Sequence, residues 1–114
     1  MEQTLRILVL LHLLAIFTQA VLAGQFLSGA DGAVLFHESA GWTVASIGLA
    51  QVICTVVMKP PRASLTLILS SALIFLAEAL QVGTGYLRFL GVHIPLAVLI
   101  AGGVAAQAVR VFRS

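Results

Sequence analysis

Residues 76–97 read LAEALQVGTGYLRFLGVHIPLA, and the organisation of the whole chain follows from them. An apolar run carrying Glu78 and Gln81 enters a turn with Gly83, Gly85 and Gly91, and a second apolar run restarts at His93. Glycines between two apolar runs predict two helices joined by a tight connection. A looser copy lies upstream: Gln19 in an apolar run, a turn with Gly24 and Gly29, then His37 at the head of the next run. Each hairpin thus carries one histidine at the same end of its second helix, placed to grip something flat between them.

The rest of the composition says what surrounds these hairpins. The 114 residues are 61% hydrophobic and only 9% charged, with a mean hydropathy of +1.13. A chain this short cannot bury so much apolar surface in a water-soluble core. Crossing a bilayer takes about 20 apolar residues per helix. Four segments qualify, residues 5–24, 36–58, 64–84 and 92–112. The expected fold is therefore all-α, a single transmembrane domain (1–114) folded as an up-down-up-down four-helix bundle built from two related hairpins. Little chain is left for a soluble domain.

Charge placement orients the bundle. Arg6, Lys59, Arg62, Arg110 and Arg113 fall on one side of four spans, and Arg88 on the other. Positive residues collect in cytoplasmic loops, so both termini are expected in the cytoplasm, in a bacterial cytoplasmic membrane. The net charge of +2 reflects these flanks and gives no reason to expect a nucleic-acid partner. Cys54 is the single cysteine, which excludes an intrachain disulfide and a paired-cysteine metal site. Ala20–Ala23 resembles a signal-peptide cleavage site, but the preceding apolar run is too long and is broken by His12 and Gln19. A retained first helix is expected.

In order along the chain, Gly24 is expected to cap the first span and Asp31 to N-cap the second, placing His37 about two turns in. His37, Gly41, Val44 and Gly48 share one helix face; small residues there make a groove or simply a close helix contact. Lys59-Pro60-Pro61-Arg62 ends the second span, because proline removes a donor and restricts its predecessor. Trp42, Tyr86 and Arg88 belong at the headgroup level. The fourth span is expected to begin near His93, with Pro95 in its first turn. Aligning His37 with His93 also aligns Ala45 with Ala101, Ala50 with Ala106 and Gln51 with Gln107. Aligning Gln19 with Gln81 pairs Ala15 with Ala77. These matches predict a parallel repeat about an axis along the membrane normal, although chance agreement in an Ala-rich chain stays open.

Polar groups inside a membrane are costly and mark sites. In a bundle with short loops, spans 2 and 4 occupy opposite corners. His37 and His93 therefore face one another across the axis, an arrangement suited to a heme iron with an imidazole on each side. Gly41 and Ala97, one turn below, supply room. The plainer alternative is two interfacial or packing histidines. A zinc site is disfavoured, since two histidines without a cysteine or acidic pair fall short of a coordination set.

The segment ALQVGTGYLRFLGVHIPLA resembles the end of one half of the heme A synthase family, whose two four-helix halves each bind heme through histidines on their second and fourth helices near the outer face. The likeness covers the four-span layout, Gln81, the Gly-rich turn, and His37 and His93 by position. In the family's substrate half a Glu lies three residues before the first histidine and an Arg follows it. Here those positions hold Val34 and Glu38, and the outer-loop cysteines of that half are missing. The resemblance therefore implies a heme-holding half, not a half that hydroxylates a heme methyl.

Several roles are open to Glu78: an acceptor, with Gln81, for a ligating imidazole, a proton relay, a pairing with a partner subunit, or equally a structural hydrogen bond to a neighbouring helix. Arg88 is a candidate partner for a heme propionate or a headgroup anchor. His12 stands alone on the inner side, level with Gln51 and Gln107, and is expected to make an interhelix hydrogen bond. The resulting expectation is a small cytochrome b-like membrane protein, with one heme b held by both histidines near the outer face. It would transfer electrons or serve as an accessory heme subunit, in preference to acting as an enzyme. Beside the bilayer, its expected partners are a second copy or a larger respiratory-type membrane complex. The rivals are a cofactor-free structural or assembly subunit and a small proton-coupled transporter.

Overall fold

The computed structural model describes residues 1–114. Four helices follow one another, α1 (Glu2–Leu27), α2 (Ala33–Met58), α3 (Leu65–Tyr86) and α4 (Leu90–Arg113). Each is long and apolar enough to cross a membrane. At about 1.5 Å per residue they run roughly 33–39 Å, and the molecule measures 48 × 21 × 19 Å. Neighbours in sequence pack side by side, and α1 closes the ring against α4. That leaves α1/α3 and α2/α4 as diagonals. Both termini and the α2–α3 connection share one end, here the terminal end. The α1–α2 and α3–α4 connections form the other, the histidine end.

Polarity is arranged inside out. Only 19 of 114 residues are buried, and they include His12, Gln51, Thr55, Ser71, Glu78, Thr84 and Gln107. Large apolar side chains point outward instead, with Phe17, Leu73 and Val98 each 68% exposed. This is what a lipid-facing bundle requires, because hydrocarbon outside removes the drive to bury leucine and leaves polar groups to seek one another. An apolar cluster of Leu5, Val9, Cys54, Met58, Ala63, Leu67 and Val111 fills the terminal end.

The helix ends depart from the expected boundaries in three places. Gly24 does not stop α1; the helix continues to Leu27, Ser28 caps it, and Gly29 takes the left-handed turn at φ 101°. Asp31 does not cap α2, which begins after Gly32 with no side-chain cap. His37 accordingly sits only about one turn into its helix. The fourth helix starts at Leu90, three residues before His93, so Pro95 lies inside it. The hydrogen bond that Pro95 cannot donate belongs to Gly91, at the exposed helix start, where its loss costs least. Ser64 does cap α3, accepting from the Leu67 amide at 3.2 Å.

Candidate functional site

The two hairpins build the same local device. His37 Nδ1 lies 3.1 Å from the main-chain carbonyl of Gln19, on the preceding helix. His93 Nδ1 lies 2.9 Å from the carbonyl of Gln81, again on the preceding helix. A helix carbonyl has a second lone pair to offer and can only accept, so each ring must carry its hydrogen on Nδ1. The neutral rings therefore keep their lone pairs on Nε2, the form in which histidine binds metals. The Thr84 hydroxyl, which donates to Gln81 O at 3.1 Å, sits 3.3 Å from His93 Nδ1 and crowds the second copy further.

Across the α2/α4 diagonal the ring centroids are 6.2 Å apart with planes at 67°. Close approach is secured by glycine. A Cβ on Gly85 would come within 2.9 Å of the His93 ring, and one on Gly41 within 2.9 Å of the Gln19 amide nitrogen. Ala97, the counterpart of Gly41 in the repeat, is half-buried one turn below His93. The side-chain oxygens Gln19 Oε1 and Gln81 Oε1 are buried without a hydrogen-bond partner, at equivalent positions in the two hairpins. Sequence reading placed Gln81 beside its histidine, and it is there, but through its backbone. Arg88 stands exposed in the α3–α4 turn at φ 55° and makes no bond to either ring. Glu38 points away from the pair and accepts from Tyr86 Oη at 2.7 Å, which in turn accepts from Trp42 Nε1 at 3.0 Å.

Of the roles open to Glu78, the structure shows an interhelix contact and no bond to His37 or His93. Its carboxylate meets His12 Nε2 on α1, not an outer histidine. The reason is directional: a helical side chain leans toward its own N-terminus. For α3 that is the terminal end, so Glu78 leans away from His37 and His93. His12 Nδ1 continues to Gln51 Oε1 at 3.1 Å, and Gln51 Nε2 donates to Gln107 Oε1. Gln107 Nε2 donates to Ser70 and Ser71 hydroxyls at 2.9 and 3.1 Å. The interhelix contact expected of His12, Gln51 and Gln107 is thus part of a chain linking all four helices. Gly48 makes room for it, since a Cβ there would overlap Glu78 Oε2. That oxygen is itself without a partner.

No cluster of three or more His, Cys, Asp or Glu side chains is positioned to hold a bare metal ion. The pair at the histidine end offers two imidazoles and no third ligating side chain. No family model, curated protein or solved structure matches the chain.

Proposed function

We propose that the protein is a small membrane cytochrome of the b type, holding one heme between His37 and His93 and handling single electrons. The carrying observation is the matched pair of Nδ1–carbonyl bonds, which leaves two Nε2 lone pairs on rings set across a diagonal. The two ring centroids lie 6.2 Å apart with their planes at 67°, near neighbours across the bundle. Two neutral imidazoles are the donor set that such a group takes. Bound there, heme supplies reversible one-electron iron chemistry.

The chain's own residues do the remaining work. His37 and His93 would hold the iron through their Nε2 atoms, and a group held by two imidazoles would supply outer-sphere electron transfer in preference to oxygen chemistry. The Gln19 and Gln81 carbonyls hold ring orientation and raise ligand basicity. Gly41 and Gly85 bring no Cβ against Gln19 and the His93 ring, and Ala97 adds only a methyl. The lipid-facing exterior keeps water away. With the basic residues gathered at the terminal end, the heme lies toward the outside of the membrane.

The test is heme content and visible spectrum of protein purified from membranes supplied with ample heme. Wild type should show a low-spin, six-coordinate spectrum. His37→Ala and His93→Ala should each abolish it or convert it to five-coordinate, whereas His12→Ala should keep it. Colourless wild type, or loss of heme from the His12 variant alone, would end the reading. Cysteines introduced at Ser114 and Ala30 check the orientation: the first should label only from the cytoplasm, the second only from outside.

A further inference from the structure

The buried chain through His12 has a hydrogen-bond direction that can be read from its serine end. The Ser70 hydroxyl donates to Leu67 O at 3.1 Å, so toward Gln107 Nε2 it acts as acceptor. Gln107 Oε1 then accepts from Gln51 Nε2, which leaves Gln51 Oε1 facing His12 Nδ1. An amide oxygen only accepts, so Nδ1 carries a hydrogen. The contact between His12 Nε2 and Glu78 Oε1 must then hold one more proton. It is either a protonated Glu78 donating to a neutral ring or an imidazolium donating to a carboxylate. Both forms place two protons on the pair and leave it neutral overall, as a low-dielectric interior favours.

A second self-consistent arrangement exists with one proton fewer. If the pair releases a proton, the ring keeps its hydrogen on Nε2, bonded to the Glu78 carboxylate. His12 Nδ1 becomes an acceptor. A half-turn of both amides restores every bond: Gln51 Nε2 donates to Nδ1, Gln107 Nε2 to Gln51 Oε1, and a serine hydroxyl to Gln107 Oε1. Ser71 can supply that hydroxyl, since its only hydrogen bond is the one it accepts from Gln107. Serine donates or accepts equally well, and it therefore terminates the chain in either direction.

We propose that His12 and Glu78 form a proton-binding site in the interior of the bundle, whose loading sets the direction of the Gln51–Gln107–Ser71 hydrogen-bond chain. Glu78 is 2% exposed, yet its Oε2 has no partner, the one open valence in an otherwise satisfied network. A groove of about 420 Å³ between α3 and α4 reaches the serine end of the chain. It runs from Thr66 and Arg110 near the terminal end, past Ser70 and Gln107, to Ala77 beside Glu78 in sequence. Few other titratable groups compete. On α1 the next is Arg6, on α2 the buried Cys54 three residues past Gln51, and on α4 the exposed Arg110; α3 offers Glu78 itself and, at its far end, Tyr86.

The outer histidines provide an internal control, because their carbonyl partners cannot reverse. The experiment is ¹⁵N spectroscopy of histidine-labelled full-length protein in nanodiscs, between about pH 5 and about pH 10, with His12 assigned by His12→Asn. As pH rises, His12 should change from Nδ1-protonated to Nε2-protonated while His37 and His93 keep Nδ1–H. Ser71→Ala should hold the loaded form to higher pH, since the released form loses its terminal donor. Glu78→Gln should remove the transition. A His12 ring that keeps one tautomer throughout, or a transition that survives Glu78→Gln, would overturn the proposal. So would a transition driven by sodium at fixed pH, which would mark a monovalent-cation site. The result does not depend on whether the outer pair holds heme, so the two readings fail separately.

Discussion

The histidine end and the middle of the bundle solve the same problem, polar groups inside a membrane, in opposite ways. At the histidine end the two hairpins contribute identical parts: a ring on the even helix, a carbonyl on the odd one, and a small residue beside them. The rings are half-buried and their Nε2 atoms are left uncommitted. In the middle the repeat is broken. Gln51 and Gln107 remain equivalent, but the position matching His12 is Ile74 and the one matching Glu78 is Ile16. There the groups are deeply buried and satisfy one another. Symmetry persists where a two-faced ligand would need the same donor from both sides, and lapses where the chain partners itself.

That contrast can be broken experimentally, and the largest effect should come from the middle. Glu78→Ala leaves His12 buried and unpaired, a change that costs about 3–5 kcal/mol. His37→Ala loses one hydrogen bond and should cost only about 1 kcal/mol. Unfolding in mixed micelles measures both, and pairing His12→Leu with Glu78→Leu should recover most of the loss. Equal destabilisation by the two single variants would erase the distinction between a self-partnered network and a ligand-ready pair.

Next in size is Gly85→Ala, which pushes a methyl group into the His93 ring. Disturbing the surroundings of a metal ligand typically lowers affinity about 10–100-fold, so heme titration should show a loss of that order with helicity unchanged. Gly48→Ala should cost roughly 1–3 kcal/mol, because the added methyl meets the Glu78 carboxylate and the network has little room to give. Its effect on heme affinity should be small. The smallest effect belongs to Gly102→Ala, where the Cβ meets open space. It should leave stability unchanged or raise it by up to about 1 kcal/mol through helix propensity alone. A loss there comparable to that at Gly48 would mean that the exposed α4 face is occupied in the membrane.

The sequence by itself determined the number of helices, their order and their register within a few residues. Hydropathy and the Lys59–Arg62 break are local properties, and apolar runs of this length have no alternative to helix in hydrocarbon. It also determined that His37 and His93 lie at one end on alternate helices, because hairpin length and bundle order leave no other placement. Only the tertiary structure decided what the polar groups touch. Glu78 looked available to the outer histidines by position along its helix. The lean of a helical side chain toward its N-terminus turned it the other way, and the gap at Gly48 gave it room. Likewise the partner of each histidine is a backbone carbonyl, which every residue possesses and no side-chain pattern reveals. A one-dimensional reading gives depth along a helix. Which face turns inward, and which neighbour it meets there, depends on four helices packing at once.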